Sequence, residues 1–159
     1  MMNGLYATSL LICASLASDA PEQWMALGRT PLHAHPTIVK MWQVNNRIRQ
    51  RVGLAPHRLN PALTKAAQDH ANYMARTGQF DHYVNRGPWG RARYWGYNGS
   101  VCENIAMGQG TIEGAFAAWQ ASSGHWANLT SNTQDAGFGY AISPNGTPFW
   151  VAVYGYAPQ

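Results

Sequence analysis

The chain has 159 residues, of which 46% are hydrophobic and only 11% carry a charge. This length and apolar content suit one folded domain with an N-terminal extension, and they exclude an intrinsically disordered protein. The formal net charge is +4, but the basic residues are scattered and no nucleic-acid-binding motif accompanies them. A nucleic-acid partner is therefore not expected, whereas attraction to an anionic envelope surface is compatible with the charge.

The N-terminus carries an apolar run over residues 5–17, which has the length of a signal-peptide core and is too short to span a membrane as a helix. Small residues follow, so we expect an export signal over residues 1–20 and a secreted, periplasmic or envelope-associated protein. Because no Lys or Arg precedes the run, two alternatives stay open: an ordered or frayed apolar segment, or a misplaced start codon.

Residues 21–36 are rich in Pro, His and Ala and show no period, which predicts a linker. The folded domain is then expected over residues 37–159. His33 and His35 lie close together in the linker, and such a pair can indicate a metal site. We interpret them as incidental members of an irregular arm.

The hydrophobic pattern predicts three helices. Apolar residues at helical spacing cover residues 37–53, where a glycine is suited to end the helix. A second helix is predicted over residues 60–78, because an Asn-Pro pair provides an N-cap and a first-turn proline and a glycine stands at the end. His70 lies on its apolar stripe and is interpreted as a core histidine. A third helix is predicted over residues 111–122.

Two strands are predicted over residues 136–143 and 149–157, joined by a hairpin at Asn145-Gly146. Residues 79–100, rich in Gly, Arg, Tyr and Trp, are predicted to form a long loop, and such loops are often functional. The order helix, helix, loop, helix, hairpin predicts an α+β fold in which helices pack on a small antiparallel sheet.

Glu103 stands in the nearly apolar run VCENIAMG, residues 101–108. A buried carboxylate is costly unless it is paired, so Glu103 needs a partner if the run is buried. The distances along the chain are too long for any local motif, so both a His–Glu–His site and a Glu–Arg ion pair stay open. The candidate partners are His82, His125, Arg86, Arg91 and Arg93.

An ordered set of segments between about residue 39 and residue 156 resembles the CAP superfamily, which includes cysteine-rich secretory proteins, insect venom antigen 5 and plant pathogenesis-related proteins. The resemblance is strongest to the small bacterial secreted branch. No single piece is specific, but their order is. The segments are VNNRIRQRVGLAPHRLNPALTKAAQDHANYMARTGQFDH, Arg93 and Gly96-Tyr97 in the loop, CENIAMG, AFAAWQASSGHWANL, AGFGYA and FWVAVYGY.

The resemblance implies an α-β-α sandwich with a central cleft, in which two histidines and two acids face one another. In this sequence the histidines fall on His82 and His125, and the first acid falls on Glu103. The position of the second acid is occupied by Ser122, so the four-residue site is incomplete. The side chains assigned to the cleft beside the two histidines and Glu103 are Ser122, Tyr97 and Trp119.

Two imidazoles beside a carboxylate predict a weak divalent metal site with His82 and His125 as ligands and Zn²⁺ as the metal. Without metal, Glu103 would hydrogen-bond the imidazoles and tie the cleft together. Three functions follow. We favour a monomeric secreted binding module for a lipid, glycan or protein ligand. The alternatives are a metal-assisted or His/Glu-dependent hydrolase with His82, Glu103 and His125 as catalytic residues, and a structural envelope domain without a small ligand.

Overall fold

The computed structural model describes residues 31–157, so the predicted export signal and most of the predicted linker lie outside the described residues. A short 3-10 turn at Leu32–Ala34 comes first. The helices are α1 (Pro36–Arg51), α2 (Pro61–Thr77), α3 (Gly87–Tyr94), α4 (Ile112–Ala121) and α5 (Ser123–Leu129). The strands are β1 (Arg58–Leu59), β2 (Val101–Met107), β3 (Asp135–Ile142) and β4 (Pro148–Gly155). Within this part of the chain, no helix has the length and hydropathy needed to cross a membrane.

The four strands form one sheet in the order β1-β3-β4-β2. The hairpin of β3 and β4 is antiparallel, as predicted, and β2 pairs antiparallel with β4, which places Glu103 opposite Val153. Strand β1 pairs in parallel with β3 over two residues, so the sheet is mixed and not purely antiparallel as predicted. The strand that carries Glu103 lies at an edge of the sheet.

Helices cover both faces of the sheet, which confirms the predicted α-β-α sandwich. One face packs against α1, α4 and α5, and Phe116 and Phe138 lie in this part of the core. The other face packs against α2 and α3 with smaller side chains such as Ala67 and Val151. Because side chains alternate along a strand, Glu103 faces α2 and α3 together with its neighbour Ile105.

Two glycines of β3 allow α2 to lie directly on the sheet. A Cβ atom at Gly137 would fall 2.1 Å from the carbonyl carbon of Leu63, and one at Gly139 would fall 2.4 Å from that of Ala67. Non-bonded atoms cannot approach so closely, so this contact between helix and strand requires glycine at both positions.

The ends of α2 agree with the prediction. The side-chain oxygen of Asn60 accepts hydrogen bonds from the backbone N–H groups of Ala62 and Leu63, and Pro61 opens the first turn. At the other end Gly78 adopts the left-handed conformation, with φ of 75°. The apolar stripe between these caps places His70 and the α2 core residues against the sheet.

The region between α2 and β2 differs from the prediction. Residues 79–100 are not one long loop, because α3 lies within them and buries Arg91 and Ala92. Its sequence, GPWGRARY, contains poor helix formers, so packing and not intrinsic propensity stabilises this helix. Residues 101–107 form an edge strand that no alternation of apolar and polar residues indicated, since its central residues are buried on both faces. Helix α5 was also not predicted.

Candidate functional site

Glu103 is the centre of a buried charged cluster. Its side chain is only 1% exposed, and each of its carboxylate oxygens has a partner. His82 Nδ1 donates to Oε1 over 2.9 Å, and Arg91 Nη2 donates to Oε2 over 2.7 Å. The Glu–Arg ion pair therefore occurs, and of the His–Glu–His site only the bond to His82 does, since the hydrogen bond of His125 to β2 is the one that its backbone oxygen accepts from Asn104.

The pairing with Arg91 explains how a carboxylate is tolerated at this depth. The Arg91 side chain is fully buried, and a buried carboxylate without a cation would carry a large desolvation penalty. Of the other candidate arginines, Arg86 stacks over the ring of Tyr94 at 4.5 Å and Arg93 is exposed, so neither binds Glu103. Arg91 was one of three candidates in the sequence, and the orientation of α3 decides between them.

His82 lies in the segment between α2 and α3, and its side chain is 36% exposed. The carboxylate of Glu103 fixes Nδ1 as the protonated nitrogen, which leaves Nε2 as the nitrogen available to a ligand. The backbone of the same residue is also held, because Arg91 donates to the carbonyl oxygen of His82 over 3.3 Å. His82 is thus oriented both by its side chain and by its main chain.

His125 lies at the start of α5 and is half-buried. Burial lowers the pKa of its imidazole, and the proximity of His82 lowers it further, so the neutral form is favoured. Asn104 Nδ2 donates to the backbone carbonyl of His125 over 2.9 Å. His125 and His82 line one cavity of about 310 Å³ with Phe80, Asp81, Tyr83 and Ile105, so the two predicted histidines do share a cleft.

A second cavity, of about 410 Å³, is also lined by His82. The exposed rings of Tyr83 and Trp89 form its walls together with Pro88, and Asn128 closes it from α5. Its floor is the beginning of β2, residues 101–103. His82 and Tyr83 line both cavities, so the two cavities adjoin at these residues.

His70 is a member of this cluster that sequence reasoning assigned to the core. It is fully buried on α2, and its Nε2 lies 3.8 Å from Glu103 Oε1, too far for a hydrogen bond. Burial lowers its pKa to about 4, against the opposing attraction of Glu103, so it is neutral at pH 7. The sequence signal that could have placed His70 near Glu103 is its position on the apolar stripe of α2, because that stripe packs on the face of the sheet that carries Glu103.

None of the three remaining residues assigned to the cleft lines either of its two cavities. Tyr97 is 3% exposed and donates to Asp135 Oδ2 over 3.1 Å, and Trp119 is fully buried and donates to the backbone oxygen of Ile105. Both are core residues, because their rings fill the two layers on either side of the sheet. Ser122 lies between α4 and α5 and lines neither cavity of the cleft.

The donor atoms of the cleft suit a metal only in part. Among residues 31–157, no three or more His, Cys, Asp or Glu side chains are grouped so as to hold a metal ion. Glu103 is already bonded at both oxygens, which leaves His82 Nε2 and the imidazole of His125. Two imidazoles are ligands that Zn²⁺ accepts, but they are fewer than the three of ordinary catalytic zinc sites. The cleft therefore offers two imidazole donors for a metal ion.

Comparison with known proteins agrees with this architecture. The chain is 33% identical over 134 residues to the uncharacterized protein YkwD of Bacillus subtilis, covering 82% of this chain and about half, 52%, of that relative. It is similar to an outer surface protein of Borrelia burgdorferi, with a TM-score of 0.68, 18% identity and coverage of 76% and 92% of the two chains.

An extracellular SCP-domain protein of Bacillus anthracis is similar with a TM-score of 0.65 and 21% identity, and the match covers 76% of this chain and 40% of that one. At such identities these structures support the fold alone. The sequence model described as the cysteine-rich secretory protein family, CAP, matches residues 42–154. The chain therefore belongs to the CAP family of cysteine-rich secretory proteins.

Proposed function

We propose that the protein is an exported CAP-domain binding protein whose cleft holds a divalent metal between His82 and His125 and takes an extracellular ligand beside it. The observation that carries this proposal is the 2.9 Å hydrogen bond between Glu103 Oε1 and His82 Nδ1. A carboxylate on one imidazole nitrogen orients the ring and makes the other nitrogen a better ligand, which is the usual arrangement behind metal-bound histidines.

The expected binding is weak and exchangeable. Two imidazoles leave most of the coordination sphere of Zn²⁺ to water or to a donor atom of the bound ligand. The neutral imidazole of His125 favours such binding, because a protonated imidazole cannot coordinate a metal. When bound, the metal would supply a positive charge and open coordination positions at the centre of the cleft.

The ligand is expected to contact the aromatic wall next to His82. Tyr83 is 83% exposed and Trp89 is 57% exposed, and both face the larger cavity. Rings with this exposure bind flat or apolar surfaces of a partner at little conformational cost. A lipid, a glycan or a protein side chain would satisfy this wall, and we expect it to be met outside the cell or in the envelope.

Binding is preferred to hydrolysis because of the surroundings of Glu103. A general base must reach the water or group from which it takes a proton, but the Glu103 side chain is 1% exposed and both oxygens accept hydrogen bonds. Its geometry suits the orientation of His82. A structural domain without a small ligand is the remaining alternative, in which the cluster serves only the fold.

The test is a calorimetric titration of Zn²⁺ into the full chain, the His82→Ala variant and the His125→Ala variant. We expect saturable binding that both substitutions abolish. The matched control is the His33→Ala/His35→Ala double variant, which removes the other close histidine pair and should bind as the wild type does. Equal binding by all four proteins, or binding lost only in the control, would refute a metal site in the cleft.

A further inference from the structure

We propose that Arg91 and Asn104 are positioning residues that fix the location of His82 relative to His125. Neither side chain lines either cavity, and both are fully buried. The inference rests on the proposed function, because it concerns the same pair of imidazoles. The observation behind it is that each histidine-bearing segment is tied by side-chain hydrogen bonds to one of two consecutive residues of β2, Glu103 and Asn104.

Arg91 joins the segment of His82 to β2. Its Nη1 donates to the backbone oxygens of Val84 over 2.7 Å and Asn85 over 3.1 Å. Both Nη1 and Nη2 also donate to the backbone oxygen of His82 over 3.3 Å. Its Nη2 donates to Glu103 over 2.7 Å. One planar guanidinium therefore holds the main chain of His82 and also the carboxylate that orients its ring. A lysine could not make these contacts together, because its ammonium lacks the fork.

The turn that Arg91 binds has a conformation that needs support. Asn85 and Arg86 have positive φ angles of 51° and 71°, and Gly87 follows with 67°. Residues other than glycine rarely adopt this region, and they remain there only where surrounding contacts enforce it. The carbonyl groups of this turn converge on the guanidinium, so the path of the backbone from His82 to α3 depends on Arg91.

Asn104 performs the equivalent task for His125. Its Nδ2 donates to the backbone oxygen of His125 over 2.9 Å, and its Oδ1 accepts from Asn128 Nδ2 over 3.0 Å. Asn128 also donates to the backbone oxygen of Glu103 over 3.1 Å. Both the first turn and the last turn of α5 are thus attached to β2, and the donor amide of Asn104 is what holds the turn that carries His125.

The two attachments act from opposite sides of one strand. Glu103 and Asn104 are neighbours in β2, so their side chains project to opposite faces of the sheet. No hydrogen bond joins His82 to His125 within the described part of the chain, and 43 residues separate them in sequence. The positions of Glu103 and Asn104 along the rigid strand β2 therefore set the positions of the two histidines, through Arg91 and through the Asn104 amide. These positions determine whether both imidazoles can reach one ion.

The test compares Arg91→Lys and Asn104→Asp with the control Asn45→Asp in the full chain. Asn104→Asp keeps the shape of the side chain but replaces its donor with an acceptor that faces the carbonyl of His125. Asn45 is an equally buried asparagine with two side-chain hydrogen bonds, to Asn46 and His57, on α1. For each protein we would measure urea denaturation, hydrogen exchange resolved by peptide, and the Zn²⁺ affinity.

We expect Arg91→Lys to accelerate exchange in residues 82–87 and Asn104→Asp to do so in residues 123–129, beyond what lost stability explains. Zn²⁺ affinity should fall by about 10–100-fold in both, the usual effect of removing a residue that orients a ligand. Asn45→Asp should lower stability without accelerating exchange in these two segments and without weakening Zn²⁺ binding. If Asn104→Asp does not fold, Asn104→Ser removes the amide without burying a charge and takes its place.

Two outcomes would overturn the inference. One is exchange that rises uniformly in all three variants in proportion to the stability lost. The other is unchanged Zn²⁺ affinity in Arg91→Lys and Asn104→Asp while the wild type binds at His82 and His125. If the wild type binds no Zn²⁺, the proposed metal site fails by itself, and the local exchange alone decides whether Arg91 and Asn104 hold the two segments.

Discussion

Acid should destabilise the protein through two histidines that are buried in the neutral form. His57 is 1% exposed, its ring lies between Asn45 and Thr133, and burial together with the charge of Arg49 lowers its pKa to about 3. His70 is fully buried beside Glu103, with Arg91 and His82 also near it, and burial lowers its pKa to about 4.

The sign and size follow from proton uptake by the unfolded chain. A histidine of the unfolded chain has a pKa near 6.5, so it binds a proton at pH 5 while the same residue in the folded protein does not. The stability that depends on these two neutral histidines is therefore fully present above about pH 7, and it is lost as the pH drops from 6.5 toward 4. Between pH 7.5 and pH 5 each histidine lowers the free energy of unfolding by about 2 kcal/mol, or about 4 kcal/mol for the pair.

The assay is urea denaturation at pH 7.5 and pH 5 for the wild type, His57→Gln and His70→Gln. Each substitution is expected to lower stability at pH 7.5, because a buried polar ring is replaced, yet to reduce the difference between the two pH values by about 2 kcal/mol. A wild-type free energy of unfolding that is the same at both pH values would refute the reasoning. A difference that keeps its full size in both variants would do so as well.

Two further predictions concern packing and a buried hydrogen bond. Gly137→Ala should lower the free energy of unfolding by about 3 kcal/mol, because its Cβ would overlap the backbone of Leu63, whereas Gly110→Ala, with open space at the Cβ, should leave it nearly unchanged in the same denaturation experiment. Trp119→Phe should cost about 1–3 kcal/mol, because it removes the indole N–H that bonds the backbone oxygen of Ile105; a melting temperature equal to that of the wild type would contradict this.

The features of the fold that could be predicted from the sequence are those that depend on local residue patterns. The caps of α2 and the hairpin of β3 and β4 depend on Asn60, Gly78 and the Asn145-Gly146 pair, which act on neighbouring backbone. Strand β2 could not be predicted in this way, because burial on both faces removes the alternation that marks a strand. Helix α3 depends on the packing of Arg91 and Ala92 and not on its own composition.

For the site, the sequence indicates that Glu103 needs a partner, but it does not identify all the residues that surround it. The need of Glu103 for a partner follows from its apolar surroundings, and the family resemblance selected His82 from five candidate partners. The rotation of α3 about its axis decides which arginine pairs with Glu103. The sequence does not reveal this rotation, because three arginines lie within eight positions. His70 was missed because a residue on an apolar stripe looks the same whether it meets a methyl group or a carboxylate.

The hydrogen bonds that Trp119 and Asn128 make to β2 also reduce the number of free acceptors at this edge of the sheet. As an edge strand, β2 would present free backbone groups to which a strand of another chain could add, the first step of many aggregation processes. The indole of Trp119 occupies the oxygen of Ile105, and the amide of Asn128 occupies that of Glu103. Two acceptors of this edge strand are thereby unavailable to a strand of another chain.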